Sequence, residues 1–235
     1  MSYFDFKQFR VYHDRCAMKV GTDGVLLGAW APTENVKRIL DIGTGSGLIS
    51  LMLAQRTEAT IIGVELDEAA ALQARENVKQ SRFASRIEIV NADILCYTSE
   101  TKFDLIVSNP PFFNDALECP DKQRAQARHT SSLPLHQLID AANRLLCHNG
   151  HFSVILPCDI IKQFINTCIV KHFTPIRITN VRTTPQKPPK RTMLTLKKGV
   201  NNDALITDEL ILSTSHGSRS EEYNELTKDF YLDRN

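Results

Sequence analysis

RILDIGTGSG, residues 38–47, sets a short apolar run directly against a run of glycines. Such a run ended by glycine reads as a buried strand, and residues 48–55 continue it as a helix. The same alternation repeats downstream. TIIGVE (60–65) reads as a second strand, and Asp67 caps a helix over 68–80 with Ala70, Ala74 and Val78 on one face. RIEIV (86–90) and FDLIVS (103–108) read as a third and a fourth strand, the latter stopped by Pro110 and Pro111. A helix over 133–147 should end near Asn149-Gly150, ahead of a fifth strand (151–156) and a helix (159–171). Residues 176–181 and 192–196 form a closing pair of strands around a Pro- and Lys-rich link. Strands interleaved with helices at this spacing predict an α/β fold: a doubly wound, mostly parallel, seven-stranded sheet with helices on both faces. Ligands bind such a sheet at the carboxyl ends of its strands.

A chain of 235 residues suits a single domain over 1–235, with a covering segment (1–37), a core (38–200) and an extension (201–235). A 42% hydrophobic, 23% charged composition argues against wholesale disorder. No apolar run is long enough to span a membrane, and residues 1–10 lack a signal-peptide core, so a cytoplasmic protein with no membrane partner is expected. The six cysteines form no C-x-x-C pair and sit at no zinc-ligand spacing, so no metal is expected. The net charge of +1 hides an asymmetry. Arg177, Arg182, Lys187, Lys190, Arg191, Lys197 and Lys198 occur without an acid among them, whereas eight acids face three bases from 201 onward. The basic stretch reads either as a polyanion-binding surface or as a solvated face.

The motifs all fall at strand ends. Asp41-Ile-Gly-Thr-Gly-Ser-Gly47 turns from strand to helix, where Gly43, Gly45 and Gly47 let the backbone approach a ligand. The spacing is G-x-G-x-G behind an aspartate, not the dinucleotide G-x-G-x-x-G, and Asp41 suits an ammonium-bearing ligand better than a pyrophosphate. Glu65, at the end of the second strand, is placed to accept the ribose hydroxyls of an adenosyl group, and Asp93 to accept the adenine amine. Each has an alternative: Glu65 as a solvated strand end, Asp93 as a helix cap.

Asn109-Pro-Pro-Phe112 follows the fourth strand and carries the most specific chemistry. A conjugated exocyclic amine is a poor nucleophile because its lone pair is delocalised into the ring. The Asn109 side-chain oxygen and the Pro110 carbonyl can each accept one N–H bond, turning the lone pair out of the ring plane. Pro110 and Pro111 stiffen the turn, and Phe112 offers a face on which a flipped base can stack.

With these residues in view, residues 38–157 resemble class I, Rossmann-like methyltransferases of the N6-adenine and N5-glutamine type. A narrower resemblance starts earlier. Phe9-x-Val-Tyr-His-Asp, then AMKVGTDGVLLGAW (17–30), Asn109-Pro-Pro-Phe-Phe113 and Ala127-Arg-His129 look like the bacterial tRNA(Val) adenine-N6 methyltransferases. The resemblance spans nearly the whole chain and is weakest after Gly199. It implies S-adenosyl-L-methionine as cofactor and the N6 amine of the adenine just 3′ of the anticodon as target. It also implies that the N-terminal segment closes over the cofactor. Lys19, Thr22 and Asp23 would then lie near the methionine end or the target entrance; from chemistry alone, Asp23 could hold the methionine ammonium and Lys19 could meet its carboxylate or an RNA phosphate. His13 reads as a packing residue. Lys187, Lys190 and Arg191, with Arg124 and Arg128, would dock the anticodon arm through phosphates. Release-factor glutamine, guanine N2 or DNA adenine remain compatible targets, and the oligomeric state is left open.

Overall fold

A computed structural model describes residues 2–111, 133–200 and 204–232. Two N-terminal strands, β1 (Tyr3–Asp5) and β2 (Arg10–Tyr12), pair antiparallel and lead into helix α1 (Thr22–Trp30). Then follow β3 (Arg38–Ile42), α2 (Leu48–Arg56), β4 (Thr60–Glu65), α3 (Glu68–Lys79), β5 (Ile87–Asn91) and β6 (Phe103–Ser108). The remaining elements are α4 (Leu135–Leu145), β7 (Leu146–Pro157), α5 (Ile161–Val170), β8 (Phe173–Arg182), β9 (Arg191–Lys198), β10 (Ile206–Ile211) and α6 (Glu221–Thr227). The main sheet runs β10-β8-β9-β7-β6-β3-β4-β5. Strands β3 to β7 are mutually parallel where they pair, and only β9 runs against its neighbours, β7 and β8.

The α/β class and doubly wound order are as expected, but the sheet has eight strands rather than seven. The eighth is β10, inside the stretch that composition marks as an acidic extension. Two of its acids are paired: Arg177 binds Asp208 at 3.0 Å, and Arg182 bonds Glu209 at 3.1 and 3.0 Å. The extension thus neutralises two arginines of the basic stretch from the neighbouring strand. A second difference concerns the end of α4. The helix stops at Leu145, and β7 begins at once with Leu146 opposite Phe103. The Asn149-Gly150 pair is a bulge inside β7, not a helix stop. The register jumps to His151 opposite Leu105, and Asn149 absorbs the extra residues at φ 64°.

Each face of the sheet buries its own apolar layer. One layer joins α1, α2, α3 and Tyr223 of α6 with Ile39, Leu105, Ile155 and Met193. The other joins α4 and α5 with Leu40, Ile106, Phe152 and Leu194. Helix α1 is buried on every side from Gly24 to Trp30. It touches α2 so closely that a Cβ on Gly28 would come within 2.9 Å of Met52 Cβ. Its last turn is held from α2, where Arg56 donates to the carbonyls of Gly28 (2.9 Å) and Ala31 (2.8 Å). Trp30 donates its indole N–H to Thr179 at 3.0 Å, Thr179 in turn bonds Asp208, and the Arg177 guanidinium lies 4.8 Å from the Trp30 ring. One polar chain therefore fastens α1, β8 and β10 together. The two extremities of the described chain also meet. Phe6 bridges Tyr231, and the Lys7 amide donates to the Phe230 carbonyl at 2.8 Å.

Candidate active site

Because β3, β4, β5 and β6 are parallel, their carboxyl ends bring Asp41, Glu65, Asp93 and Asn109 to one edge of the sheet. The turn after β3 is fixed from β4, since Gly43 and Thr44 both donate their amides to the Val64 carbonyl (2.9 and 3.2 Å). Gly43, Gly45 and Gly47 have φ of 70°, 56° and 80°, conformations that residues with a Cβ resist. Their surroundings divide them. A Cβ on Gly43 or Gly45 would meet nothing within 4 Å, whereas one on Gly47 would meet Ala74 of α3 at 3.5 Å. The first two glycines thus line open space, and the third serves helix packing.

Asp41 lies wholly buried beneath this turn. Its Oδ2 accepts the hydroxyls of Thr44 (2.6 Å) and Ser50 (2.8 Å), but its Oδ1 has no partner. Burial pushes the Asp41 carboxyl up to about 6, against the opposing pull of those two hydroxyls. A buried, half-satisfied carboxylate costs free energy that a positive charge beside it would offset. Glu65 spans the neighbouring gap, accepting the amides of Gly45 (2.8 Å) and Asp67 (3.0 Å). It holds the glycine turn from the far side. Asp93 accepts the Leu95 amide at 2.9 Å and so closes the turn after β5. No helix follows for it to cap.

At β6, Ser108 donates to the Ile42 carbonyl at 2.9 Å and locks the strand end to β3. Asn109 follows half-buried and Pro110 buried. Gly24 lies across from them: a Cβ there would come within 3.9 Å of the Asn109 Nδ2. The first turn of α1 is therefore a wall of the same site. Thr22 and Asp23 stand in that turn, and Asp23 accepts the Arg191 Nε at 2.8 Å. Lys19 is exposed. Lys187 and Lys190 are exposed on the link between β8 and β9, at the same sheet edge, because Arg191 pairs with both Pro157 and Val181. Phe112, Arg124 and Arg128 lie outside the described residues, as does the Ala127-Arg-His129 stretch. Pro111 is described and exposed.

The N-terminal segment lies beside this edge. Burial pushes the Cys16 thiol up to about 11, and Glu65 and Asp67 add to the shift, so the segment carrying Cys16 passes the end of β4. His13 is buried and takes the packing role expected of it. The Val20 amide donates to its Nδ1 (3.3 Å), which leaves the proton on Nε2, 2.7 Å from the Ser2 hydroxyl. Burial, then Lys19, lowers its pKa and keeps the ring neutral.

Several contributors carried no usable signal in the sequence. Asn77 of α3 clamps β2 through the Tyr12 amide and carbonyl (2.9 and 2.8 Å) and also bonds the Ser46 carbonyl of the glycine turn (2.8 Å). Asn91 donates to the carbonyls of Glu65 and Leu66 (2.9 and 3.0 Å). Leu66 and Leu95 follow the two acidic positions and are left 56% and 42% exposed, an apolar pair at an otherwise polar edge. A separate cavity lined by Pro32, His151, Arg177 and Lys197 opens at the opposite edge of the sheet and shares none of these groups. Among the described residues no helix is long and apolar enough to cross a membrane, and no group of side chains is arranged to hold a metal ion.

Known proteins resemble this chain in sequence and fold. A profile for the methyltransferase small domain matches residues 18–174. The tRNA1(Val) (adenine(37)-N6)-methyltransferase of Bacteroides thetaiotaomicron is 50% identical over 232 residues, covering 98% of this chain and 97% of the relative. The protein of the same name from Phocaeicola vulgatus is 52% identical over 230 residues, with 98% and 97% covered. Among solved structures, a predicted O-methyltransferase from Agrobacterium tumefaciens superposes with a TM-score of 0.70 at 22% identity, covering 91% of this chain and all of the other. A T. thermophilus 16S rRNA N2 G1207 methyltransferase, solved with AdoMet and guanosine, gives 0.57 at 21% identity over 84% of this chain and 50% of the other. At these identities the two structures bear on the fold alone.

Proposed function

Because the chain belongs to the methyltransferase small domain family and, within it, to the tRNA1(Val) (adenine(37)-N6)-methyltransferases, we infer that it methylates the N6 amine of adenine 37 in tRNA1(Val). The cofactor is S-adenosyl-L-methionine, which supplies an electrophilic methyl group on a sulfonium. The residues present fit it. Gly43 and Gly45 border open space, the orphaned Asp41 oxygen would compensate its ammonium, and Glu65 and Asp93 would hold its ribose and adenine. Leu66 and Leu95 offer apolar faces to a planar base. Thr22 and Asp23 frame the methionine end from α1, with Lys19 nearby. We read residues 1–37, 38–200 and 201–235 as parts of one domain, a reading supported by β10 belonging to the main sheet.

The observation that carries the chemistry is the position of Asn109. It follows β6 at the sheet edge that holds the glycine turn, facing the first turn of α1. There its side-chain oxygen and the Pro110 carbonyl each accept one N–H of the adenine amine. The two bonds turn the nitrogen lone pair out of conjugation and aim it along the transfer line. No strong base is needed, because the nitrogen sheds its proton once it has become cationic. Phe112 stacks on the flipped base, while Lys187, Lys190, Arg124 and Arg128 engage phosphates of the anticodon arm.

Purified protein given labelled S-adenosylmethionine and an unmodified tRNA1(Val) transcript should place label in N6-methyladenosine at position 37. Label in a guanosine, or in release factor offered instead, would overturn this target. A second expectation follows from Asp41. An ammonium favours its ionised form, whereas burial pushes the carboxyl up to about 6. Affinity for S-adenosylhomocysteine should therefore be level above about pH 7 and weaken toward about tenfold per pH unit below 6. Calorimetry across this range tests it, and Asp41→Asn should abolish the slope. A slope that survives in that variant removes Asp41 from the ammonium site.

A further inference from the structure

The lip of the site is spanned by one ion pair whose halves are 168 residues apart in sequence. Helix α1 begins without a side-chain cap: Gly21 occupies that position with extended backbone. Its first turn is instead tied to the sheet through Asp23, whose Oδ2 lies 2.8 Å from the Arg191 Nε. A carboxylate in a first helical turn is already favoured by the helix dipole. Arg191 is a firm anchor, because its backbone pairs with Pro157 of β7 on one side and Val181 of β8 on the other. Its Nη1 also donates to the Lys190 carbonyl at 3.2 Å. The residue after Asp23 is Gly24, the one that faces the Asn109 amide.

We propose that Arg191 is a positioning residue: through Asp23 it holds the first turn of α1 against the Asn109 side chain, and so fixes where the amide oxygen meets the adenine amine. The proposal rests on the role given to Asn109 above. It takes Arg191 out of the set of simple phosphate contacts, where charge alone had grouped it with Lys187 and Lys190.

The two roles are separable. A lost phosphate contact weakens RNA binding and lowers the log-log salt slope by about 0.7–0.9. A lost strut instead misplaces a reacting group, and displacements of about 1 Å can cost a hundredfold in rate. Arg191→Gln should lower kcat about tenfold at saturating substrates, with the RNA dissociation constant within about twofold and the salt slope unchanged. Asp23→Asn should lower kcat similarly, and the double variant should be no worse than the poorer single one. Arg191→Lys should recover most of the rate. Thermal melts confirm that each variant is folded. Normal kcat with a reduced salt slope in Arg191→Gln, or multiplicative kcat losses in the double variant, would overturn the proposal. Wild-type protein that methylates no adenine would sink the functional reading instead; the RNA-affinity measurements need no turnover and still separate strut from phosphate contact.

Discussion

Asn109→Ala is expected to lower kcat about a thousandfold while leaving the affinity for S-adenosylhomocysteine within about threefold. The cofactor cradle is built from β3, β4 and β5, with Asp41 under the glycines and Glu65 across from them. Asn109 stands at the end of β6, the strand beside β3, and is not among the partners that those bonds join. Its amide acts when the amine must leave conjugation, a demand that peaks in the transition state. Interactions made chiefly there appear in kcat rather than in binding. Removing one preorganised polar partner at a reacting centre costs on the order of a hundred- to a thousandfold, about 3 to 4 kcal/mol. The upper end applies because the Pro110 carbonyl cannot bond both hydrogens of one amine. Single-turnover methyl transfer with saturating tRNA, set beside calorimetric cofactor binding, measures the split. A variant that loses cofactor affinity in proportion to rate would show that Asn109 shapes the cradle and does not activate the nucleophile.

The second large effect is structural. Trp30→Ala should destabilise the protein by about 3 to 5 kcal/mol, the usual range for truncating a buried aromatic side chain. Trp30 is 5% exposed at the end of α1, under the Arg177 guanidinium, with its indole N–H on Thr179. Truncation empties a space bounded by α1, β8 and β10, and the chain from Thr179 to Asp208 loses its inner member. Trp30→Phe keeps a ring under Arg177 and gives up one hydrogen bond, so its cost should be nearer 1 kcal/mol plus a packing loss. Urea unfolding of both variants gives the comparison. Equal losses for Ala and Phe would mean that the hydrogen bond, not the packing, fastens α1.

The contrast between α1 and the central strands explains what was legible in the sequence. Strands β3 and β6 are short apolar runs cut by glycine or proline, and β4 and β5 are β-rich runs that end at polar residues, so their existence could be read. Their parallel order then placed Asp41, Glu65, Asp93 and Asn109 at one edge without further information. Helix α1 was invisible as a helix because periodicity needs a polar face. TDGVLLGAW is buried from Gly24 onward and contains two glycines, so nothing marks a stripe. Strand β10 was hidden for the opposite reason. Asp208 and Glu209 look like solvent-facing charge, and only the neighbouring strand supplies Arg177 and Arg182 to neutralise them. Asn149-Gly150 has the composition of a helix stop but serves a bulge, since the helix had already ended at Leu145. The pairing of Asp23 with Arg191 joins residues 168 apart, a distance across which local pattern carries no information.

The junction between Phe6 and Tyr231 has a consequence for synthesis. The first strand pair rests on residues synthesised long after it, because the Lys7 amide needs the Phe230 carbonyl and the Phe6 ring stacks on Tyr231 at 6.0 Å. At ordinary elongation rates the two ends are separated by on the order of ten to forty seconds of translation. During that interval the central strands can assemble while the segment bearing His13 and Lys19 lacks its final support. The nascent protein can therefore pair its central strands before its entrance segment is fixed.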